Sequence, residues 1–183
     1  QSRYMAGLGR RACSLVVASS DPRKNWNPDG YAELASHLLR KHDLQPLLVG
    51  GHSEAEEKLA QAIIRRAQGK VVDARGGGLR RLLWLLEGSA LVISPDTGPL
   101  HMARAVGTPV VGLYGSTNPK RSGPYRLFTD LVVDGYARNP EEEYPVSRKR
   151  RSGGMARITT KMVVENVDRA LLRDPPPPPD GRG

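Results

Sequence analysis

Short, continuous apolar runs alternate along this chain with longer stretches of helical periodicity. Residues 14–18, 46–49, 90–93 and 110–114 are runs of strand length with few polar positions, the pattern of strands buried on both faces of a parallel sheet. A shorter run covers 70–73, and 131–133 adds a further candidate. Between them lie helical segments with recognisable ends. Asn27 as N-cap and Pro28 at the first helical position open a helix to about residue 40. Ser53, with Glu56 three positions on, forms a capping box for the next. Residues 79–87 carry Leu82, Leu83, Leu85 and Leu86 and end at Gly88. A short helix from Pro99 is stopped by Gly107, and Pro109 blocks its extension. The last helix, to about residue 172, places Val163, Val167, Ala170 and Leu171 on one face, with Thr160 as its N-cap. Strand and helix alternate about five times, which predicts an α/β fold: a Rossmann-like parallel sheet with helices on both faces. Residues 13–173 read as one domain, 1–12 as a polar, basic linker, and 174–183, with five consecutive prolines, as an extended or disordered tail.

Composition narrows the function classes. The chain has 183 residues, enough for one domain with its own core, and lacks any apolar run near membrane-spanning length. Its net charge of +9 predicts a surface that attracts anions. Nucleic acid is disfavoured as that anion, because no DNA- or RNA-binding module appears and aromatics at 5% leave few stacking platforms. Nucleotide-sugar phosphates and anionic lipid both fit. The run Arg148–Lys149–Arg150–Arg151 reads as solvated surface, or as a contact with anionic membrane. The single cysteine, Cys13, reads as a small buried hydrophobe and suits a reducing cytosol. The first residues lack the apolar core of a signal peptide, and the absence of an initial methionine points to a fragment or a processed chain. No Gly-x-Gly-x-x-Gly follows the first strand, which disfavours an NAD-binding domain, and no Cys/His spacing suggests a structural metal.

The candidate chemistry sits in loops at the carboxyl ends of strands, where open α/β sheets hold ligands. Asp96-Thr97-Gly98 joins the strand at 90–93 to a helix whose first N–H groups and dipole favour an anion, here expected to be a phosphate. Asp96 or Thr97 serves equally well as a plain N-cap, worth about 1 kcal/mol. Gly98 either lets a bulky anion approach the backbone or serves the turn. His101 lies in the first helical turn, where the dipole disfavours imidazolium until an anion compensates it. The loop after the first strand offers Ser19, Ser20, Arg23 and Lys24, with Lys24 otherwise a solvated charge and Trp26 a packing residue. Glu56 is accounted for by its capping box. Glu54 is not, and a carboxylate at a strand end can take two ribose hydroxyls. Gly76-Gly77-Gly78 has the look of a phosphate cradle, while Lys120 and Arg121 either neutralise phosphate or face water.

Asp96-Thr97-Gly98-x-x-His101, continued by Ala103-x-x-x-Gly107-x-Pro109-Val-Val-Gly-Leu-Tyr-Gly-x-Thr117-Asn118-Pro119 and by Gly123-Pro124, closely resembles the heptosyltransferases of lipopolysaccharide core synthesis. These belong to glycosyltransferase family 9 and have the two-lobed GT-B architecture. Ser20-x-x-x-Lys24-x-Trp26 resembles the same family. The resemblance covers nearly the whole chain but only the carboxyl-terminal lobe of the family, the lobe that binds the nucleotide-sugar donor, typically ADP-heptose. It implies that Lys24 reaches the donor diphosphate, that Ser19 or Ser20 adds a hydroxyl, that a ribose-binding glutamate lies at about Glu54, and that Asp96 lies near the sugar. It further implies an inverting, metal-independent transfer without a cofactor to a lipid A-core acceptor, in the cytoplasm or peripherally at the inner face of the inner membrane. The general base would come from an amino-terminal lobe not contained here, so that this chain alone binds donor with little or no turnover. The triple glycine departs from the polar loop that borders the adenine in the family. Two other readings stay open: a non-catalytic nucleotide-binding module, and a GT-B lobe for another nucleotide-sugar.

Overall fold

Among the described residues six strands, β1 (Arg11–Val16), β2 (Leu44–Val49), β3 (Val72–Asp73), β4 (Ser89–Pro95), β5 (Val110–Tyr114) and β6 (Val132–Asp134), lie parallel in one sheet in the order β3-β2-β1-β4-β5-β6. The computed structural model describes residues 7–17, 19, 21–124 and 126–172. Ser20 and the expected proline-rich tail lie outside the described residues. The helices are α1 (Pro28–His42), α2 (Glu54–Ala67), α3 (Gly78–Glu87), α4 (Gly98–Ala105), the single-turn α5 (Pro119–Ser122) and α6 (Gly154–Arg157), and α7 (Thr160–Leu171).

Alternate residues of β1, β2, β4 and β5 enter two cores, one on each face of the sheet. Cys13 and Leu15 of β1 and Leu91 and Ile93 of β4 join Tyr31, Leu34 and Leu38 of α1, Ile63 of α2, and Val163 and Val167 of α7. On the other face Val16, Leu47, Val92 and Val110 pack with Leu82, Leu85 and Leu86 of α3 and Leu100 and Ala103 of α4. A strand with both faces covered has no place for polar alternation, which is why these runs are continuously apolar. Burial also pushes the Cys13 thiol pKa far up, so it stays neutral.

Several boundaries move for local reasons. β1 begins at Arg11 rather than residue 14, with Arg11 and Ala12 paired to Leu44 and Gln45, so the linker expected over 1–12 is shorter at its carboxyl end. β2 likewise starts at Leu44. The Asn27 cap and the Ser53–Glu56 capping box form as expected. The cap of α7 is Thr159, whose hydroxyl accepts from the Met162 N–H, and Thr160 is already helical.

Between β6 and α6 the basic run is exposed at Arg148, Lys149 and Arg150, as its composition suggested, while Arg151 is drawn inward against two buried tyrosines. Tyr136 and Tyr144 are buried edge to face at 4.9 Å, and the Arg151 guanidinium lies 4.2 Å from the Tyr136 ring centre. Arg151 forks onto both carboxylate oxygens of Glu142 at 2.8 and 2.9 Å, and Arg150 pairs with Asp21. Arg148 and Lys149 of the basic run stay exposed. The Arg151 bond, with the Arg138 N–H, lowers the Glu142 pKa to about 2. A carboxylate depressed in the folded state stabilises fully above its ordinary value of 4.5 and loses that contribution as pH falls toward 2. The Arg151 amide, which donates to the Ser116 carbonyl at 3.0 Å, is therefore expected to lose hydrogen-exchange protection, relative to its intrinsic rate, across that window. Glu142→Gln should make its protection low and flat with pH; an unchanged profile would show that the pair does not hold this segment.

Candidate functional site

Strand order reverses between β1 and β4, and the crevice at their carboxyl ends is where a doubly wound sheet receives ligand. Two loops meet there. The first follows β1 and is built by short-range hydrogen bonds. The Ser19 N–H donates to Asn25 Oδ1 at 2.7 Å, the Asp21 N–H donates to Ser19 Oγ at 3.1 Å, and Asp21 caps one 3-10 turn, Pro22–Lys24. Trp26 anchors the loop from below: it is fully buried, its Nε1 donates to the Ile158 carbonyl at 2.9 Å, and it meets Tyr31 edge to face at 5.1 Å. The packing role expected for Trp26 is the one it has, and its consequence is to fix Lys24 at the end of the turn.

The second loop follows β4. Lys24 Nζ crosses the crevice and donates to the Asp96 carbonyl at 2.7 Å and to Asp96 Oδ2 at 3.3 Å. The Lys24 and Asp96 side chains are 17% and 8% exposed, so this pair works in a partly desolvated setting and Lys24 is not the solvated charge of the alternative reading. Asp96 Oδ2 also accepts from Ser122 Oγ at 3.2 Å, and His101 Nε2 stands 3.7 Å from Oδ1, with the imidazole half exposed at the rim.

Neither Asp96 nor Thr97 caps α4, which corrects the simple capping reading of both. Thr97 occupies the N-cap position, but its hydroxyl is turned back to the Pro95 carbonyl at 3.2 Å and to Ser94 Oγ at 3.1 Å, while Asp96 is held by Lys24 and Ser122. The amino end of α4 thus has no side-chain cap. Gly98, its first residue, does not lie in the left-handed region, and a Cβ built on it meets nothing within 4 Å. Neither turn geometry nor packing calls for glycine there; the space it leaves opens on the crevice.

Val16, Ser19, Lys24, Gly51, Glu56 and Thr97 are among the residues that line this cavity of about 350 Å³. Ser19, Lys24, Asp96, Thr97 and Gly98 are thereby brought together, with His101 at the edge. Glu54 is not. It lies in the first turn of α2, 82% exposed, and its carboxylate accepts from Lys58 Nζ at 2.6 Å, one turn along the helix. The glutamate that reaches the cavity is Glu56, which accepts from the Gly51 N–H at 2.7 Å and from the Ser53 N–H and hydroxyl at 3.0 and 2.6 Å. Its burial opposes ionisation, yet these three donors outweigh it and lower its pKa. Ser53 sets which way each side chain points: the capping box turns Glu56 back toward the loop and leaves Glu54 to solvent. Lys120 and Arg121 are both exposed, the water-facing one of the two roles expected of them, and the Lys120 ammonium also donates to the Tyr144 carbonyl at 2.8 Å and lies over that ring. Ser122 escaped the sequence reading. The available signal was Asn118-Pro119, the same cap-plus-proline device as Asn27-Pro28, which builds α5 and aims Ser122 at Asp96.

Residues 2–150 match the family model of glycosyltransferase family 9 (heptosyltransferase). The chain belongs to this family. It is similar to the lipopolysaccharide core heptosyltransferase OpsX of Haemophilus influenzae, with 34% identity over 138 residues that make up 75% of this chain and 39% of that one. Among solved structures, a family 9 glycosyltransferase of Veillonella parvula aligns with 93% of this chain and 50% of its own, at a TM-score of 0.75 and 22% identity. The heptosyltransferase WaaC of E. coli with ADP aligns with 88% of this chain and 44% of its own, at 0.64 and 21%. The family 9 fold seen in one half of those chains is thus the fold of this one, and the chain spans half or less of the length of these relatives. Among the described residues no helix is long and apolar enough to cross a membrane.

Proposed function

We propose that this chain is the donor-binding lobe of a heptosyltransferase, holding ADP-heptose for transfer of the heptose to the lipopolysaccharide inner core. The observation that carries this reading is the Lys24 ammonium fixed at Asp96 beside an uncapped helix end whose first residue, Gly98, leaves open space. A diphosphate fits that arrangement: helix N–H groups and a partly buried cation offer preorganised donors that need no reorientation as charge builds on the departing ADP. In this reading Lys24 and the amino end of α4 meet the diphosphate charge without a divalent cation or cofactor. Ser19 adds a hydroxyl, His101 closes the rim, and Asp96 takes hydroxyls of the sugar. The ADP bound to the WaaC relative supports adenine as the base. Transfer would be inverting, with the base that activates the acceptor hydroxyl supplied by the half of the relatives that this chain does not span. The lobe would work in the cytoplasm at the inner face of the inner membrane, where exposed Arg148 and Lys149 face anionic lipid rather than nucleic acid.

Calorimetric titration with ADP, against UDP, GDP and NADH, tests the proposal. ADP is expected to bind preferentially. Gly98→Ala should leave the protein as stable as before, or more stable by about 0.5–1 kcal/mol because alanine is the better helix residue, while weakening ADP binding about tenfold or more. Preference for UDP or GDP would assign another nucleotide-sugar. ADP binding that is unaffected by Gly98→Ala would remove α4 from the diphosphate site.

A further inference from the structure

At the opposite end of the sheet from the crevice, where α1 ends just before the amino end of β2, two histidines converge on one carboxylate. His37 Nε2 and His42 Nε2 lie 2.7 and 2.6 Å from the same oxygen, Oδ1 of Asp168 on α7. The three side chains are 18%, 14% and 21% exposed, and the imidazoles meet edge to face at 5.3 Å. All three candidate ligand atoms lie within 4.8 Å of one another. No sequence spacing announces this group, because Asp168 comes from another helix 126 residues after His42.

We propose that His37, His42 and Asp168 form a binding site for a divalent cation of the zinc class, with the two Nε2 atoms and Oδ1 as ligands, that clamps α1 to α7. Two imidazoles and one carboxylate are a donor set that suits zinc and its late first-row neighbours, with water completing the tetrahedron. Without metal, Oδ1 accepts hydrogen bonds from both rings, so each Nε2 carries a proton. Moving those protons to Nδ1, or releasing them from imidazolium, presents both Nε2 lone pairs to a cation. Around zinc, with Zn–N of about 2.0–2.1 Å, neighbouring ligand atoms stand about 3.4 Å apart, so the cluster must open by less than an ångström at the two N–O contacts. Asp168 already aims Oδ1 at both rings from α7. Lys41 Nζ occupies the other oxygen, Oδ2, at 2.6 Å and is 57% exposed. It leaves Oδ1 to the metal while competing with it electrostatically.

The test uses the full 183-residue chain, free of any affinity tag and stripped with chelator, titrated with zinc chloride and, for coordination geometry, with cobalt(II). One zinc per chain, a raised thermal midpoint and the visible bands of tetrahedral cobalt are expected. His37→Gln combined with His42→Gln should abolish all three signals, whereas His52→Gln with His101→Gln should keep them. Asp168→Asn, which retains the side-chain volume, should lose tetrahedral cobalt bands even where the double histidine variant folds poorly. Lys41→Ala should tighten zinc binding about two- to fivefold by removing the competing charge. Absence of stoichiometric zinc binding by the unaltered chain, retention of binding without His37 and His42, or a Lys41→Ala variant with unchanged affinity would overturn the proposal.

Discussion

Lys24→Ala is expected to weaken ADP binding by about two to three orders of magnitude, the largest loss from any one side chain of the crevice. Two effects add. A hydrogen bond to a charged group contributes about 1.5–3 kcal/mol, and Lys24 is placed to make one to a diphosphate while keeping the Asp96 carbonyl at 2.7 Å. Its removal also leaves the Asp96 carboxylate, 8% exposed, without its nearest cation, and an incoming dianion then meets a negative wall rather than a neutralised pair. Together these come to about 3–4 kcal/mol, which is about 100- to 1,000-fold in affinity. The second effect has its own signature. In the Lys24→Ala background, Asp96→Asn should recover part of the lost affinity, because it removes the uncompensated charge while leaving an acceptor for Ser122 Oγ. Calorimetry on the two single variants and the double variant separates these contributions. ADP affinity in Lys24→Ala equal to that of the unaltered chain would sink the diphosphate assignment.

Gly154→Ala should be the most damaging substitution for the fold, although it adds a single methyl. A Cβ at Gly154 would sit 1.8 Å from the Gly115 carbonyl oxygen and 2.4 Å from its carbon, and one at Gly115 would sit 2.2 Å from the Met155 nitrogen. The contact is backbone against backbone, so no rotamer change relieves it. Separation would pull α6 from the end of β5, and α6 carries Met155 into the core and leads to Ile158, whose carbonyl receives the Trp26 indole. The loss is expected to be about 3 kcal/mol or more, at the upper end of overpacking effects. For a chain of this size that lowers the thermal midpoint by about 6–12 °C. Because Trp26 anchors the Lys24 loop, ADP binding should weaken in step with stability. Gly98→Ala is the control with the opposite pattern, stability kept and binding lost. A midpoint for Gly154→Ala within 2 °C or so of the unaltered protein would show that the two backbones can part cheaply.

Local chemistry carried far along this chain. Runs buried on two faces cannot alternate, so residues 110–114 and most of 44–49 stood out as strands, and Asn27 and Ser53 marked helix starts because a cap bond spans only two or three residues. The loop Asp96-Thr97-Gly98 was legible as a ligand loop for the same reason: its place between strand and helix is a property of neighbours in sequence. What each residue of it does was not. Thr97 looked like a cap and instead turns its hydroxyl back on β4, and Glu54 looked unassigned beside a Glu56 already explained, yet Glu56 is the one that reaches the cavity.

The chain by itself therefore determined the alternation of elements, most of their caps, the family motif and the two loops that bear the site, since all of these rest on periodicity and on contacts a few residues apart. Only the tertiary structure decided that Lys24 meets Asp96 across 72 residues, that Ser122 joins them, that Arg151 is spent on Glu142 and Tyr136, and that His37, His42 and Asp168 share one oxygen. Those pairings depend on how strands and helices stack. Side-chain reach differs by only a few ångströms between a partner and a near miss, a distance that the order of residues along the chain does not encode.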